Sequence, residues 1–96
     1  MSRWARRVDR PHAEIREALE DCGCTVLDVS RVANAGCDLV VWTPRGHAYA
    51  VEIKDGAKPP SKRSLTDSEA ALAFRLPRHY RVIGSVDEAI ALLGGH

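Results

Sequence analysis

The sequence predicts an α/β domain in which a mixed β-sheet is flanked by helices. Three observations support this fold class. Segments with helical apolar spacing alternate with short apolar runs that are typical of strands. Two of those runs, 39–42 and 48–53, are joined by a tight-turn sequence and predict a hairpin. A helix over 66–76 then separates the hairpin from a strand over 80–84, and this passage favours a right-handed crossover with parallel strands.

The first helix is predicted over residues 9–22, where apolar residues recur at helical spacing from Ile15 onward. Asp9 can cap its start, and Pro11 suits its first turn. Gly23 can end it, because glycine readily adopts the left-handed conformation that closes many helices. The first element is therefore an amphipathic helix.

The next three elements are predicted as strands from β-rich apolar runs. Residues 24–30 give the first strand, and the two hairpin strands flank a turn at 43–46. In that turn Pro44 suits the second position and Gly46 suits the left-handed position that follows. We expect the two strands to pair symmetrically about Arg45. This pairing predicts the hairpin register, because it fixes which residues lie opposite each other.

Two capping boxes predict the remaining helices. Thr66 and Glu69 open the second helix, and Pro77 stops it. Ser85 and Glu88 open the third helix in the same way, after the last strand. The predicted order of elements is α, β, β, β, α, β, α.

The predicted functional cluster consists of Asp38, Glu52 and Lys54. The symmetric register places Asp38 opposite Glu52, and side-chain alternation keeps Lys54 on the same face as Glu52. Two facing carboxylates repel each other, and a hard divalent ion with oxygen ligands would relieve that repulsion. Lys54 would then act on a water or on a phosphate oxygen. The alternative interpretation is a solvated, charged strand face without a metal.

The composition predicts one domain over residues 1–96. Hydrophobic residues make up 45% and charged residues 28% of the chain, and the formal net charge of +1 gives no overall signal for nucleic acid. Positive charge is instead clustered in two segments, a predicted basic arm over 1–8 and a predicted basic loop over 56–65. The sequence shows neither an apolar run of membrane-spanning length nor a secretory signal, so we expect a soluble intracellular protein.

Cysteines and histidines add little to the functional prediction. Cys22, Cys24 and Cys37 are an odd number without disulfide-framework spacing, so reduced thiols are expected. A zinc site formed with His47 is the alternative, although this spacing matches no standard zinc module. His47 and His12 are otherwise expected to be polar surface residues.

The chain resembles the PD-(D/E)XK nuclease superfamily in the order of its elements and in two motifs. The motifs are Gly36-Cys37-Asp38-Leu39 and Val51-Glu52-Ile53-Lys54-Asp55-Gly56, and a Lys-Pro-Pro-Ser loop follows the second. This combination is similar to small VRR-NUC and Holliday-junction-resolvase-like nucleases. The resemblance implies a restriction-endonuclease-like αβββαβ core with an added C-terminal helix. Cys37 stands where the family commonly has proline, and Glu69 stands where it often has glutamine or lysine.

The same resemblance implies roles for particular residues. The implied metal ligands for Mg²⁺ or Mn²⁺ are Glu14, Asp38, Glu52 and the backbone carbonyl of Ile53. The implied catalytic residues are Glu14, Asp38, Glu52 and Lys54, with the lysine supporting the attacking water. Glu14 is preferred as the glutamate of the first helix because its surroundings resemble the family signature, and Glu17 is the alternative.

The resemblance finally implies a metal-dependent DNA endonuclease that is selective for branched or Holliday-junction DNA. Such a protein is expected to act as a homodimer in the cytoplasm of a bacterium or to be phage-encoded. Basic residues of the arm and the loop would contact phosphates, and these are Arg3, Arg6, Arg7, Lys58, Lys62 and Arg63. The alternative is a DNA-binding or protein-interaction module that has a nuclease-like fold and does not cleave.

Overall fold

A computed structural model describes residues 3–54 and 64–94, with side chains described from residue 11 onward. Its elements follow the predicted order of helices and strands. They are α1 (Arg3–Asp21), β1 (Thr25–Asp28), β2 (Leu39–Trp42), β3 (Ala48–Ile53), α2 (Asp67–Arg75), β4 (Tyr80–Ile83) and α3 (Val86–Gly94). Among the described residues, no helix is both long enough and apolar enough to cross a membrane.

The four strands form one sheet in the order β1-β2-β3-β4. The β1–β2 and β2–β3 pairs are antiparallel, whereas β3 and β4 are parallel. The crossover through α2 makes the parallel pair possible, because strands that run in the same direction need a long connection. The predicted mixed sheet is confirmed.

The β2–β3 hairpin has the predicted register and turn. Leu39 pairs with Val51, which is the symmetric arrangement about the turn. The backbone N–H of Gly46 donates to the Thr43 carbonyl at 2.9 Å, and Gly46 has a φ of +90°. A glycine accepts this φ without the steric cost that a Cβ would add. Local turn chemistry therefore sets which side chains face each other across the hairpin.

Each face of the sheet carries its own apolar cluster. The helices α1 and α3 cover one face, where Leu39 and Val51 pack against Ile15, Leu19 and other apolar side chains. The helix α2 lies on the other face, and its apolar side chains pack on a smaller cluster. That second cluster consists of Cys37, Ala50 and Tyr80, together with the partly buried Val29, Val40, Leu65, Leu72, Ala73, Leu76 and Val82. Glu52 lies two residues beyond Ala50 along β3, so both side chains are on the α2 face.

Two predicted boundaries near the N terminus are wrong. Helix α1 begins at Arg3 rather than at Asp9, so most of the predicted 1–8 arm is helical, and Pro11 lies inside the helix. The segment before Pro11 contains four arginines, which have high helix propensity, and it lacks a glycine that would interrupt the helix. The first strand is also shorter than predicted, covering Thr25–Asp28 rather than 24–30.

Both predicted capping boxes are present at helix starts, in different forms. At α2 the Thr66 side chain accepts from the Glu69 N–H, and the Glu69 carboxylate accepts from the Thr66 N–H at 2.9 Å. At α3 the Ser85 hydroxyl accepts from the Glu88 N–H at 3.1 Å. The Glu88 carboxylate accepts from the Gly84 N–H, one residue earlier than a full box requires. Both patterns satisfy N–H groups that a helix start leaves unpaired.

Candidate active site

Asp38 lies at the end of β2 that is opposite the hairpin turn, one residue beyond the Leu39–Val51 pair. Its backbone N–H donates to the Val51 carbonyl at 2.9 Å, and its Oδ2 accepts from the Ile53 N–H at 2.9 Å. The side chain thus replaces a backbone acceptor at the point where the ladder ends. This placement holds the Asp38 carboxylate beside Glu52, as the symmetric register predicts.

Glu52 is a buried carboxylate with only 5% of its surface exposed. Burial is the largest cause of a rise in its pKa to about 8, and the negative charges of Asp38 and Glu69 add to the rise. Burial removes the water that would stabilise the ionised form, and nearby carboxylates repel its charge. In the metal-free protein Glu52 therefore keeps its proton up to about pH 8, because ionisation would add a poorly solvated negative charge beside Asp38 and Glu69.

Lys54 supplies the positive charge that the described part of this site contains. Its Nζ lies 3.3 Å from Glu52 Oε2 and 3.0 Å from Glu69 Oε1. Its backbone N–H donates to the Ile83 carbonyl of β4 at 2.9 Å, which fixes the start of the side chain. Burial acts to lower the pKa of Lys54, but the hydrogen bond to Glu69 and the two carboxylate charges raise it overall. Lys54 therefore remains an ammonium that bridges two carboxylates.

Glu69 joins the cluster from α2, and its involvement was left open by the sequence. Burial acts to raise the pKa of Glu69, while the Thr66 N–H, Lys54 and Glu52 lower it overall. The same carboxylate therefore caps α2 and pairs with Lys54. The capping box in the sequence predicted the first role but gave no signal for the second, which depends on how α2 packs on the sheet.

The chain is similar to a known protein in its fold. Neither protein-family models nor curated proteins gave a match. A solved structure described as a VRR_NUC domain is similar to this chain, with a TM-score of 0.65 and 25% sequence identity. The similarity covers 91% of this chain and 94% of that one. The chain has a VRR-NUC nuclease-like fold. The predicted resemblance and the restriction-endonuclease-like fold class are confirmed.

Two further residues hold the segment that carries Asp38, namely Tyr80, which the sequence did not single out, and Gly36, which begins the first motif. The buried Tyr80 hydroxyl donates to the Gly36 carbonyl at 2.7 Å, and burial, followed by the charge of Glu52, raises the Tyr80 pKa. Gly36 has a φ of +88°, and a Cβ there would lie 2.9 Å from Leu72 Cβ and 3.0 Å from the Ser68 carbonyl. The segment that leads into Asp38 is therefore held between β4 and α2.

Glu14 lies on α1, which covers the sheet face opposite the one that carries Glu52. Its side chain is exposed and makes no hydrogen bond or ion pair with Asp38, Glu52 or Lys54. Within the described ranges, no group of three histidine, cysteine, aspartate or glutamate residues is already arranged to hold a metal ion. The assignment of Glu14 rather than Glu17 as a ligand remains a prediction.

The predicted phosphate contacts fall largely outside what the structure describes. Lys58, Lys62 and Arg63 lie in the segment 55–63, which is not described, and this segment contains most of the predicted 56–65 loop. Arg3, Arg6 and Arg7 belong to α1, but their side chains are not described. Their contacts with nucleic acid remain predictions.

The residues of the alternative zinc site are separated by the fold. Cys24 is buried in the cluster under α1 and α3, whereas Cys37 belongs to the cluster on the α2 face. Both thiols are free, and burial is the largest cause of the raised pKa of each. His12 pairs with Asp28 at 3.2 Å and so has a structural contact of its own.

Proposed function

We propose that this protein is a metal-dependent DNA endonuclease that prefers branched DNA. One observation carries the proposal, namely the buried Glu52 held beside Asp38 and Lys54 on a VRR-NUC nuclease-like fold. A buried carboxylate costs stability unless a cation compensates its charge, and the described carboxylates around Glu52 outnumber the single lysine. Such a cost at a sheet end favours a functional role over a structural one.

The donor set fits a hard divalent cation. Asp38 and Glu52 offer carboxylate oxygens, and by family resemblance the Ile53 carbonyl and Glu14 would complete the set. Oxygen-only ligands of this kind suit Mg²⁺ or Mn²⁺ rather than a softer metal. A bound Mg²⁺ or Mn²⁺ would supply charge neutralisation at the phosphate and would lower the pKa of a coordinated water.

Lys54 would act on the water and on the phosphate. In phosphodiester hydrolysis the water oxygen bonds to phosphorus, and the bond from phosphorus to one ester oxygen breaks. The products carry one phosphate end and one hydroxyl end. An ammonium beside the carboxylates can orient the water and stabilise negative charge that develops in the transition state. The ion pair with Glu69 keeps Lys54 charged and directed toward the site.

The preference for branched DNA and a homodimeric state belong to the same proposal. The domain measures about 38 × 29 × 26 Å, which is small for contacting two duplex arms and cutting both strands. Two copies related by a twofold axis would present two sites to a symmetric junction. Phosphate contacts position DNA without reading its sequence, so the shape of the substrate would decide the preference.

A cleavage assay tests the proposal directly. Linear, flapped and four-way DNA of matched sequence should be incubated with the wild type in Mn²⁺, in Mg²⁺ and in EDTA. We expect cutting only with a metal, with the four-way substrate cut fastest. Glu52→Gln should abolish cutting, whereas Glu20→Gln, a matched change at an exposed glutamate of α1, should not.

Two other outcomes would contradict the proposal. Tight DNA binding without cutting in either metal would indicate a binding module instead of a nuclease. A monomer by light scattering, both alone and with four-way DNA, would remove the homodimer and leave single nicks or flap cutting. Glu14→Gln and Glu17→Gln, compared in the same assay, would identify the helix glutamate.

A further inference from the structure

A basic groove lies at the hairpin-turn end of β3, away from the carboxylate cluster. It has a volume of about 640 Å³ and is lined by Gly46, His47, Tyr49, Pro77, Arg78, His79 and Arg81. No described carboxylate lines it. Tyr49, the lining residue of β3, is three residues from Glu52, so the two lie about 10 Å apart along the strand and on opposite faces of the sheet.

Arg81 is held in a fixed orientation in this groove. Its guanidinium carbon lies 5.0 Å from the centroid of the Tyr49 ring, and its Nη1 donates to the Tyr80 carbonyl at 3.0 Å. A cation over an aromatic ring and a backbone hydrogen bond both restrict the side chain. The remaining guanidinium N–H groups are therefore pre-oriented donors, and a pre-oriented donor loses less entropy on binding an anion.

His79 adds a second oriented group. Its Nδ1 lies 3.0 Å from the Ala48 carbonyl, and a carbonyl oxygen only accepts, so Nδ1 carries the hydrogen. This contact orients the His79 ring, whose centroid lies 6.4 Å from that of the Tyr49 ring. Arg78 precedes His79 on the exposed turn before β4. No ion pair is described between Arg78 or Arg81 and a carboxylate of residues 11–54 or 64–94. The groove therefore presents cationic donors that lack a described anionic partner.

We infer that this groove binds backbone phosphates of the DNA substrate at a point remote from the cut. Its volume is many times the roughly 30 Å³ share of one water molecule, so it is larger than a single phosphate ion needs. Arginine donors beside an aromatic ring suit a polyanionic strand. They neutralise its phosphate charge and position the strand without reading its bases. The inference rests on the proposed function only in taking DNA as the polyanion.

Equilibrium binding to labelled four-way DNA in EDTA tests the groove without cleavage. The test variants are Arg78→Gln, which changes an exposed side chain, and the double variant Arg78→Gln/Arg81→Gln, with folding checked by circular dichroism. Arg16→Gln is the matched control, because Arg16 already pairs with Asp28 at the β1 edge, 3.2 Å away. We expect the double variant to bind about tenfold more weakly, with its log-log salt slope reduced by about 0.9 for each phosphate that is no longer neutralised. Arg78→Gln should show about half of the slope change, and the control should match the wild type.

The outcomes separate failure of the groove from failure of the proposed function. Wild-type cleavage together with unchanged affinity and salt slope in both groove variants would overturn the groove alone. A wild type that neither binds nor cuts DNA would overturn both. Inorganic phosphate, titrated against the histidine ring signals by NMR, is the third arm. Saturable phosphate binding that the double variant loses, with no change in DNA affinity, would assign the groove to free phosphate and overturn the inference.

Discussion

Asp38 Oδ2 accepts a hydrogen bond from the backbone N–H of Ile53 at 2.9 Å, so one carboxylate both faces Glu52 and closes the end of the β2–β3 ladder. The two roles have different chemical requirements. Closing the ladder needs an acceptor atom, whereas holding a divalent cation needs negative charge. Substitutions at this position can therefore separate the structural contribution from the functional one.

Asp38→Asn should separate them, because asparagine retains an acceptor for the Ile53 N–H but has no charge. We expect its free energy of unfolding to change by less than about 1 kcal/mol, while metal-dependent cleavage falls at least about 100-fold. Asp38→Ala removes the acceptor as well and should cost about 1–3 kcal/mol. Urea unfolding in EDTA and cleavage in Mn²⁺ measure the two effects. Equal stability of the two variants would show that the hydrogen bond contributes nothing.

Lys54→Met should destabilise the metal-free protein in a pH-dependent way. The substitution keeps the apolar stem but leaves Glu52 and Glu69 without their shared cation. The pKa of Glu52 should rise further, and the loss of stability should be larger at pH 8 than at pH 5. Cleavage should fall while Mn²⁺ affinity, measured by calorimetry, is retained. A loss of Mn²⁺ affinity instead would assign the lysine a role in shaping the metal ligands.

Glu69→Gln should preserve α2 and relieve repulsion at the site. Glutamine can close a capping box with Thr66, so thermal stability should change little. Removing this charge should lower the pKa of Glu52, because Glu69 is one of the groups that raise it. Mn²⁺ binding at pH 7 should then become tighter, since fewer protons compete for Glu52. Thr66→Ala weakens the cap without removing the charge and is the matched control. Weaker Mn²⁺ binding by Glu69→Gln alone would make Glu69 a ligand.

Gly36→Ala should be among the most destabilising single-methyl changes in the chain. The positive φ disfavours alanine, and the new Cβ would approach the Ser68 carbonyl, which belongs to backbone and cannot rotate away. We expect a cost of about 2–4 kcal/mol. Tyr80→Phe removes only the hydrogen bond to the Gly36 carbonyl and should cost about 1–2 kcal/mol. Denaturant unfolding ranks the two variants, and near-equal stability of Gly36→Ala and wild type would mean that α2 shifts at little cost.

The metal-free protein should lose stability as pH rises from about 4.5 toward about 8. Glu52 has an ordinary pKa of 4.5 and a pKa of about 8 in the folded protein, so the folded state binds its proton more tightly. The stability that protonated Glu52 contributes is fully present below pH 4.5 and is lost as the pH rises through about 8. Relative to Glu52→Gln, the loss should be on the order of 2–4 kcal/mol. Urea unfolding in EDTA across this range tests it, and parallel curves for the two proteins would contradict it.

The parts of the site predicted from sequence are those set by local chemistry. The hairpin register follows from Pro44 and Gly46, so the facing of Asp38 and Glu52 could be derived from the amino-acid sequence alone. The pairing of Lys54 with Glu69 could not, because it depends on how closely α2 approaches the sheet. That approach is set by Gly36, whose missing Cβ is a tertiary requirement rather than a local signal.

The error at α1 has a related cause. Asp9 and Pro11 form a plausible helix start, and such signals indicate where a helix can begin without excluding an earlier start. Whether the preceding residues continue the helix depends on their propensity and on tertiary packing. Boundary signals therefore fix the type of an element better than its first residue.

The hairpin that carries Asp38 and Glu52 also determines when their repulsion arises during folding. Hairpins form in about 1–10 μs, whereas the parallel pairing of β3 with β4 must first close the long crossover through α2. Early in folding the two carboxylates meet while still hydrated, so the burial that raises the pKa of Glu52 in the folded protein is absent. The free-energy cost of burying the Glu52 charge beside Asp38 therefore arises in the later step, when α2 and β4 dock and exclude water. Stopped-flow refolding should therefore be slowed by alkaline pH mainly in this docking step, and a divalent cation should restore its speed.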